Sequence, residues 1–265
     1  REFVANAIGV NSIAFNAPSI IGPPIAGVII LTIGIWAAFV INAVSTLAVV
    51  AALIFMHPVP PSSTGREPVF ASIRAGLAFL FAHPVLNSVI WLLLITCIFV
   101  RPYNTLLPAY AAHVVNVDAR GLGILLASGG LGAILGSIAT ALIGNRRRAA
   151  VWFASAVVMA LGTIALGEIR SFALAMVALF AIGMAALSFA GSTNVLIQML
   201  SPDEMRGRAI SVFTMVIIGL VPAGSLLLGV VAAAIGLPKT FAGSGVVALA
   251  SAIVIYASNR ALRAV

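Results

Sequence analysis

The chain has 265 residues, of which 62% are hydrophobic and only 8% are charged, and its mean hydropathy is +1.21. Soluble domains carry about 25% charged residues, so this composition excludes a water-soluble globular domain. The net charge of +8 is typical of membrane proteins, which concentrate Lys and Arg in cytoplasmic loops. No basic patch alternates with aromatic residues, and nucleic-acid binding is therefore not expected.

Eight long apolar stretches dominate the sequence. Seven contain no Asp, Glu, Lys or Arg, and the eighth contains only Arg101. About 20 apolar residues of helix cross a bilayer core, and the runs lack the alternation of barrel strands. The sequence therefore predicts an all-α, polytopic membrane helix bundle with eight transmembrane helices. They are predicted at residues 7–33, 35–56, 85–117, 121–143, 149–167, 171–200, 209–236 and 240–259.

Basic residues between the stretches predict the orientation of the chain. If every stretch spans, ten Lys or Arg residues fall on one side and three on the other. The positive-inside rule places the side with ten in the cytoplasm, together with both ends of this chain, in a cell membrane. The ten are Arg1, Arg66, Arg74, Arg146, Arg147, Arg148, Arg206, Arg208, Arg260 and Arg263; the three are Arg120, Arg170 and Lys239.

A proline-rich segment divides the chain after the second stretch. Pro58, Pro60 and Pro61 disfavour a helix at its start, and apolar residues then recur at helical spacing over 69–82. We predict an amphipathic helix there, lying on the cytoplasmic face. The predicted divisions are two helices in 1–56, a linker with this helix in 57–82, and six helices in 83–265.

The first two stretches match the last two when the sequence is shifted by 202 residues. Gly22, Gly27, Gly34 and Phe39 then align with Gly224, Gly229, Gly236 and Phe241. Parallel repeats of this kind occur in transporters built from two related halves. Because the offset spans six helices, we expect a unit of six. This chain would then correspond to helices 5–12 of a twelve-helix protein, with roughly four preceding helices outside it.

Local motifs resemble the major facilitator superfamily over the whole chain. Ser201–Arg208 (SPDEMRGR) looks like the loop between helices ten and eleven, and Gly22–Gly27 (GPPIAG) resembles the helix-five Gly-Pro motif. The sequences of these motifs are most similar to the branch that includes the enterobactin exporter and transmembrane secretion effectors. The resemblance implies a secondary active transporter that exports amphipathic small molecules, siderophore-like or drug-like, by alternating access.

Arg101 is the sharpest candidate for a functional residue. A charge inside a span costs at least ~2.5 kcal/mol and usually faces a cavity, although snorkelling to the outer interface or pairing with a carbonyl is an alternative. Measured from Pro84, about 25 Å of helix place it in the outer part of its span. Pro102 predicts a kink or break directly after it.

Other polar residues within spans extend the predicted substrate cavity. The resemblance implies that helices five, seven, eight, ten and eleven line it. Interhelical hydrogen bonds remain an equal alternative for these residues. The candidates are Arg101, Asn104, Asn194, Gln198, Asn11 and Asn16.

Charges at span ends and glycines within spans suggest two further roles. The charges predict a cytoplasmic gate or, alternatively, a plain solvated loop, and Asn145 replaces the acidic residue that the family's basic loop often carries. The charged residues are Asp203, Glu204, Arg206, Arg208, Arg146, Arg147 and Arg148.

Small residues in spans let helices approach closely. The residues predicted to pack helices are Gly22, Pro23, Gly27, Gly129, Gly132, Gly136, Gly224 and Gly229.

Enzymatic function is not expected. The sequence has no metal-binding motif, no phosphate-binding loop and no catalytic constellation, so neither a metal nor a cofactor is predicted. No carboxylate lies within a span, so a proton-coupling group would lie outside this chain. The expected partners are a small-molecule substrate and membrane lipid, with protons as the candidate coupling ion and a monomer as the functional form. The alternative is a membrane protein that does not transport, or an inactive remnant.

Overall fold

The computed structural model describes residues 29, 32–55, 69–143, 148–259 and 261–264. Every regular element within them is helical. The chain forms two compact units, Arg1–Val69 and Phe70–Val265. Nearly all of the first predicted span, 7–33, lies outside the described residues.

The first unit contains one described helix, α1 (Ile35–Phe55). It is long and apolar enough to cross a membrane, and most of its large side chains are exposed. Gly34 precedes it with φ +110°, a conformation that L side chains rarely adopt. The glycine therefore ends the preceding turn and lets α1 begin immediately.

The second unit contains eight further helices and a terminal 3₁₀ turn. They are α2 (Val69–Ala82), α3 (Pro84–Ile95), α4 (Tyr103–Tyr110), α5 (Ala119–Ile143), α6 (Arg148–Glu168), α7 (Phe172–Leu200), α8 (Asp203–Ile235), α9 (Leu237–Ser258) and the turn Ala261–Ala264. Among the described residues, seven apolar helices are long enough to span a bilayer. They match seven of the eight predicted spans.

One of these seven is a single helical rod, Pro84–Val115, assembled from α3, α4 and two π-helical segments. The Nδ1 atom of His83 caps its start by accepting bonds from two backbone N–H groups at 3.3 Å. A π-helical segment, Thr96–Val100, comes directly before Arg101 and Pro102. A kink or break was predicted at Pro102; the helix instead changes to this π-helical segment and a turn at residues 101–102, and the rod continues beyond them to Val115.

Packing in the second unit centres on α7, which lies against α5 and α6, while α9 lies against α6. Glycines make the α5–α7 contact very close. A Cβ on Gly132 or Gly136 would collide with backbone atoms of Phe180 or Met184. The Ser188 hydroxyl donates to the Gly136 carbonyl at 3.0 Å, which ties the two helices together.

The amphipathic helix predicted over 69–82 is present as α2. It packs against the beginning of α8, where a Cβ on Gly76 would lie 3.0 Å from the Arg208 carbonyl oxygen. Within α2, Leu80 is fully buried, whereas Phe70 and Arg74 are exposed. α2 is therefore a packed element of the second unit.

Two glycines that align at the 202-residue offset, Gly34 and Gly236, both have a positive φ. Gly236 precedes α9 with φ +89°, as Gly34 precedes α1 with φ +110°. Both helices begin at the next residue and have nearly equal lengths, 21 and 22 residues. Both glycines of this aligned pair therefore have a positive φ directly before a helix.

Candidate functional site

A cavity of about 140 Å³ lies around Arg101. Its lining combines polar groups from the turn after Arg101 with apolar side chains of three other helices. The lining residues are Arg101, Tyr103, Asn104, Thr105, Met159, Ala186 and Val221. Two of the predicted cavity residues, Arg101 and Asn104, are therefore brought together.

The cavity lies near the middle of every helix that lines it. Arg101 is 17 residues from one end of the 84–115 rod and 14 from the other. Met159 and Ala186 lie at the centres of α6 and α7, and Val221 lies close to the centre of α8. The sequence analysis placed Arg101 in the outer part of its helix because the distance was measured from Pro84 alone. Since the rod continues to Val115, Arg101 is central instead.

Among the residues that the structure describes, no counter-charge lies near the positive charge of Arg101. Its side chain is half-buried, and among the described residues its guanidinium makes no hydrogen bond or ion pair. The four described carboxylates lie at helix ends: Asp118, Glu168, Asp203 and Glu204. Glu168 is nine residues along α6 from the cavity-lining Met159, which is about 14 Å of helix rise.

Irregular backbone lies beside this cavity in the 84–115 rod. The Arg101 N–H donates to the Thr96 carbonyl at 2.9 Å, and the carbonyl of Ile98 has no α-helical donor because residue 102 is proline. Gly224 of α8 approaches this point so closely that a Cβ would lie 2.7 Å from the Ile98 oxygen.

A polar contact joins the same two helices one turn further on. The hydroxyls of Ser225 and Thr105 are 3.1 Å apart, and that of Ser225 also lies 2.9 Å from the Val221 carbonyl. The wall of the cavity is thus fixed by hydrogen bonding between α4 and α8. Thr105 also lines the cavity.

Asn194 and Gln198 lie elsewhere. Their side-chain amides are hydrogen-bonded to each other on the last turns of α7. Asn194 is eight residues beyond Ala186, about 12 Å along the helix. This pair does not line the Arg101 cavity, and Asn11 and Asn16 lie outside the described residues.

The charged residues predicted as a cytoplasmic loop are helical instead. The first turns of α8 contain Asp203, Glu204, Arg206 and Arg208. The two acidic residues are stabilised there by the positive end of the helix dipole. Arg206 pairs with Asp203 at 2.8 Å and donates to the Gln198 carbonyl at 3.3 Å. The bond to Gln198 links the start of α8 to the end of α7.

Arg148 is buried at the start of α6, where the connection from α5 ends. Only 6% of it is exposed, and its Nη1 donates to the Thr140 carbonyl at 3.1 Å. Thr140 is among the last four residues of α5, whose carbonyls lack intrahelical donors. Arg148 therefore caps α5, while Arg146 and Arg147 lie outside the described residues.

The predicted packing glycines occupy different surroundings. Gly129, Gly132 and Gly136 face α7, and Gly224 faces the irregular turn before Arg101. A Cβ on Gly229 would meet no atom within 4 Å. Gly22, Pro23 and Gly27 lie outside the described residues.

Sequence reasoning missed part of the cavity lining. Tyr103 and Thr105 follow Arg101 closely and interrupt an apolar run, which is a usable signal. Met159, Ala186 and Val221 carry no signal, because an apolar residue has the same sequence appearance toward a cavity, a neighbouring helix or lipid. A wider groove of about 500 Å³ along one face of α8 was also not predicted; Ile210, Thr214 and Ile218 contribute to it.

Comparisons with known proteins agree with this architecture. A family model described as transmembrane secretion effector matches residues 1–264. The multidrug efflux pump Tap of Mycolicibacterium fortuitum is 26% identical over 242 residues, covering 89% of this chain and 59% of the pump. Tap of Mycobacterium tuberculosis (strain ATCC 25618 / H37Rv) is 25% identical over 232 residues, covering 85% and 55%. The enterobactin exporter EntS of Escherichia coli O1:K1 / APEC is 26% identical over 217 residues, covering 81% and 51%.

The chain thus spans little more than half the length of the curated relatives it matches. Those relatives are a pump and an exporter, which agrees with the expectation that this protein is not an enzyme. The matching family model and the seven apolar helices identify a multi-pass membrane protein. The chain belongs to the transmembrane secretion effector family of the major facilitator superfamily.

Proposed function

We propose that this chain is part of a secondary active exporter of amphipathic small molecules. The observation that carries the proposal is the Arg101 cavity, which lies near the centre of four long apolar helices. Substrate sites of secondary transporters lie near the bilayer midplane and beside interrupted helices. A charge and a proline-perturbed helix coincide here, which supports a substrate contact over snorkelling. The nearest interface would be about 15 Å away, farther than an arginine side chain reaches.

The lining suits a solute with both polar and apolar parts. Arg101, Tyr103 and Asn104 offer hydrogen-bond donors, while Met159 and Val221 offer apolar contact. Binding sites of small molecules combine apolar walls with a few placed polar groups in this way. Drugs and enterobactin, which the names of the relatives mention, are the substrate classes to test first.

Alternating access between two related halves is the proposed mechanism. The matched glycines Gly34 and Gly236 support the assignment of α1 and α9 to equivalent positions in two six-helix halves. In that arrangement residues 1–56 end the first half, 57–82 connect, and 83–265 form the second. The contacts between Arg206 and the end of α7 would then open and close on the cytoplasmic side, where both ends of the chain lie.

Protons are the proposed coupling ion, and a monomer is the proposed working form. None of the carboxylates in the described helices lies near a helix centre. A carboxylate whose pKa is tuned by burial would therefore belong to residues outside those described. Surrounding lipid would cover the exposed apolar side chains of α5 and α8.

Accumulation assays on the complete reading frame test the exporter proposal. A deletion strain should retain dyes and siderophores that a complemented strain expels. Arg101→Ala should reach the membrane in normal amount and yet fail to restore export. Arg120→Gln removes an exposed cation from the start of α5 and should restore it fully. Equal retention by the deletion and wild-type strains would favour a membrane protein that does not transport.

A further inference from the structure

The charge of the Arg101 cavity points to the kind of solute that it selects. Arg101 has no protein counter-charge among the described residues, and no described carboxylate lines the cavity. An unpaired charge within a span is costly unless a ligand, water or another charge compensates it. A solute that brought a negative charge would supply that compensation each time it bound.

The donor groups match a carboxylate-like anion. A guanidinium carries five N–H donors in a planar fork that can bind two oxygens of one anion. Asn104 adds an amide and Tyr103 a phenol on the same turn of chain. None of the seven lining side chains is an anion that would repel such a group.

The size of the cavity limits what enters it. A volume of about 140 Å³ is the space of four to five water molecules at about 30 Å³ each. This accommodates one small charged group and not a whole drug-sized molecule. The remainder of the solute would lie beyond the opening, against other surfaces.

We propose that the Arg101 cavity is an anion subsite that binds a carboxylate-like group of the transported solute. This inference rests on the proposed export function for its biological meaning, although the subsite itself makes a claim about binding alone. The exporter would then prefer amphipathic anions over neutral or cationic solutes of equal size.

Binding of benzoate and benzamide tests the subsite, because these probes have nearly the same shape and differ by one charge. The complete protein is purified in phosphatidylcholine nanodiscs, and apparent affinities are obtained from the thermal unfolding midpoint at rising probe concentration. A charge-assisted hydrogen bond predicts that benzoate binds about tenfold or more tightly than benzamide. Arg101→Gln should remove this preference, Arg101→Lys should keep part of it, and Arg120→Gln should leave it unchanged.

Two results would overturn the subsite: wild-type protein that binds both probes equally, or Arg101→Gln protein that keeps the preference. The wild-type comparison decides the matter even if the variant does not fold. Export without a benzoate preference would contradict the subsite and leave the exporter proposal intact. A benzoate preference in a protein that exports nothing would support the subsite and contradict the exporter proposal.

Discussion

Replacing Gly136 by alanine tests how closely α5 and α7 approach each other. The new methyl group would fall on the carbonyl and Cα of Met184. Because these are backbone atoms, they cannot rotate away, and the helices have to separate. Separation also lengthens the 3.0 Å bond from the Ser188 hydroxyl to the Gly136 carbonyl.

The expected loss can be worked out from three contributions. Overpacking a filled interior costs about 1–3 kcal/mol, and a hydrogen bond between membrane helices contributes about 0.6 kcal/mol. Alanine recovers about 1 kcal/mol of helix propensity relative to glycine. Gly136→Ala should therefore destabilise the protein by about 0.6–2.6 kcal/mol.

Gly123 provides the matched control on the same helix. A Cβ there would meet no atom within 4 Å, so Gly123→Ala should keep the gain of about 1 kcal/mol in propensity. Thermal unfolding in detergent, followed by tryptophan fluorescence, should place Gly136→Ala below wild type and Gly123→Ala at or above it. If Gly136→Ala unfolds together with Gly123→Ala, the close approach of α5 and α7 is refuted.

Three further contacts yield predictions. Gly76→Leu should loosen α2 from α8 and speed proteolysis of α2, because the added side chain starts 3.0 Å from a carbonyl oxygen; unchanged cleavage would contradict this packing. The 3.1 Å bond from Trp152 to Thr193 should give a coupling of about 0.6 kcal/mol in a double-mutant cycle with Trp152→Phe and Thr193→Val, and a value of zero would count against it. Asn259→Ala should raise hydrogen exchange in the first two turns of α3 but not in α5, because the Asn259 amide donates to the Pro84 carbonyl at 2.7 Å and to the Ser88 hydroxyl at 2.8 Å. Unchanged exchange in α3 would contradict these contacts.

The positions of the spans follow from sequence because charge is excluded from the bilayer core. The ends of the helices cannot be predicted from the exclusion of charge in the same way. The charge-free run starts at residue 209, whereas α8 begins at Asp203. A run without charge reports the thickness of the membrane, and a helix can extend beyond that thickness into water. For this reason, the charges at 203–208 were expected in a loop and lie in a helix.

The candidate site was only partly predictable. Arg101 is conspicuous because a charge in a span is rare, and Asn104 lies beside it. Asn194 looked equivalent from its polarity, but its amide is bonded to Gln198 at the end of α7. Polarity alone does not show which polar residues share a cavity, because that depends on how far along each helix they lie.

Two independent costs coincide at the Arg101 cavity, which is the strongest argument that it has a function. Backbone groups without partners cost several kcal/mol in lipid, and Pro102 and Pro222 each remove one N–H from a spanning helix. An uncompensated charge adds at least ~2.5 kcal/mol at the helix centre. A bundle selected only for stability would need neither the prolines nor the charge at this position. Irregular backbone at membrane depth is tolerated where it is covered by protein or lines a cavity. Both conditions are met here, because Gly224 packs against the irregular turn and Arg101 lines the cavity.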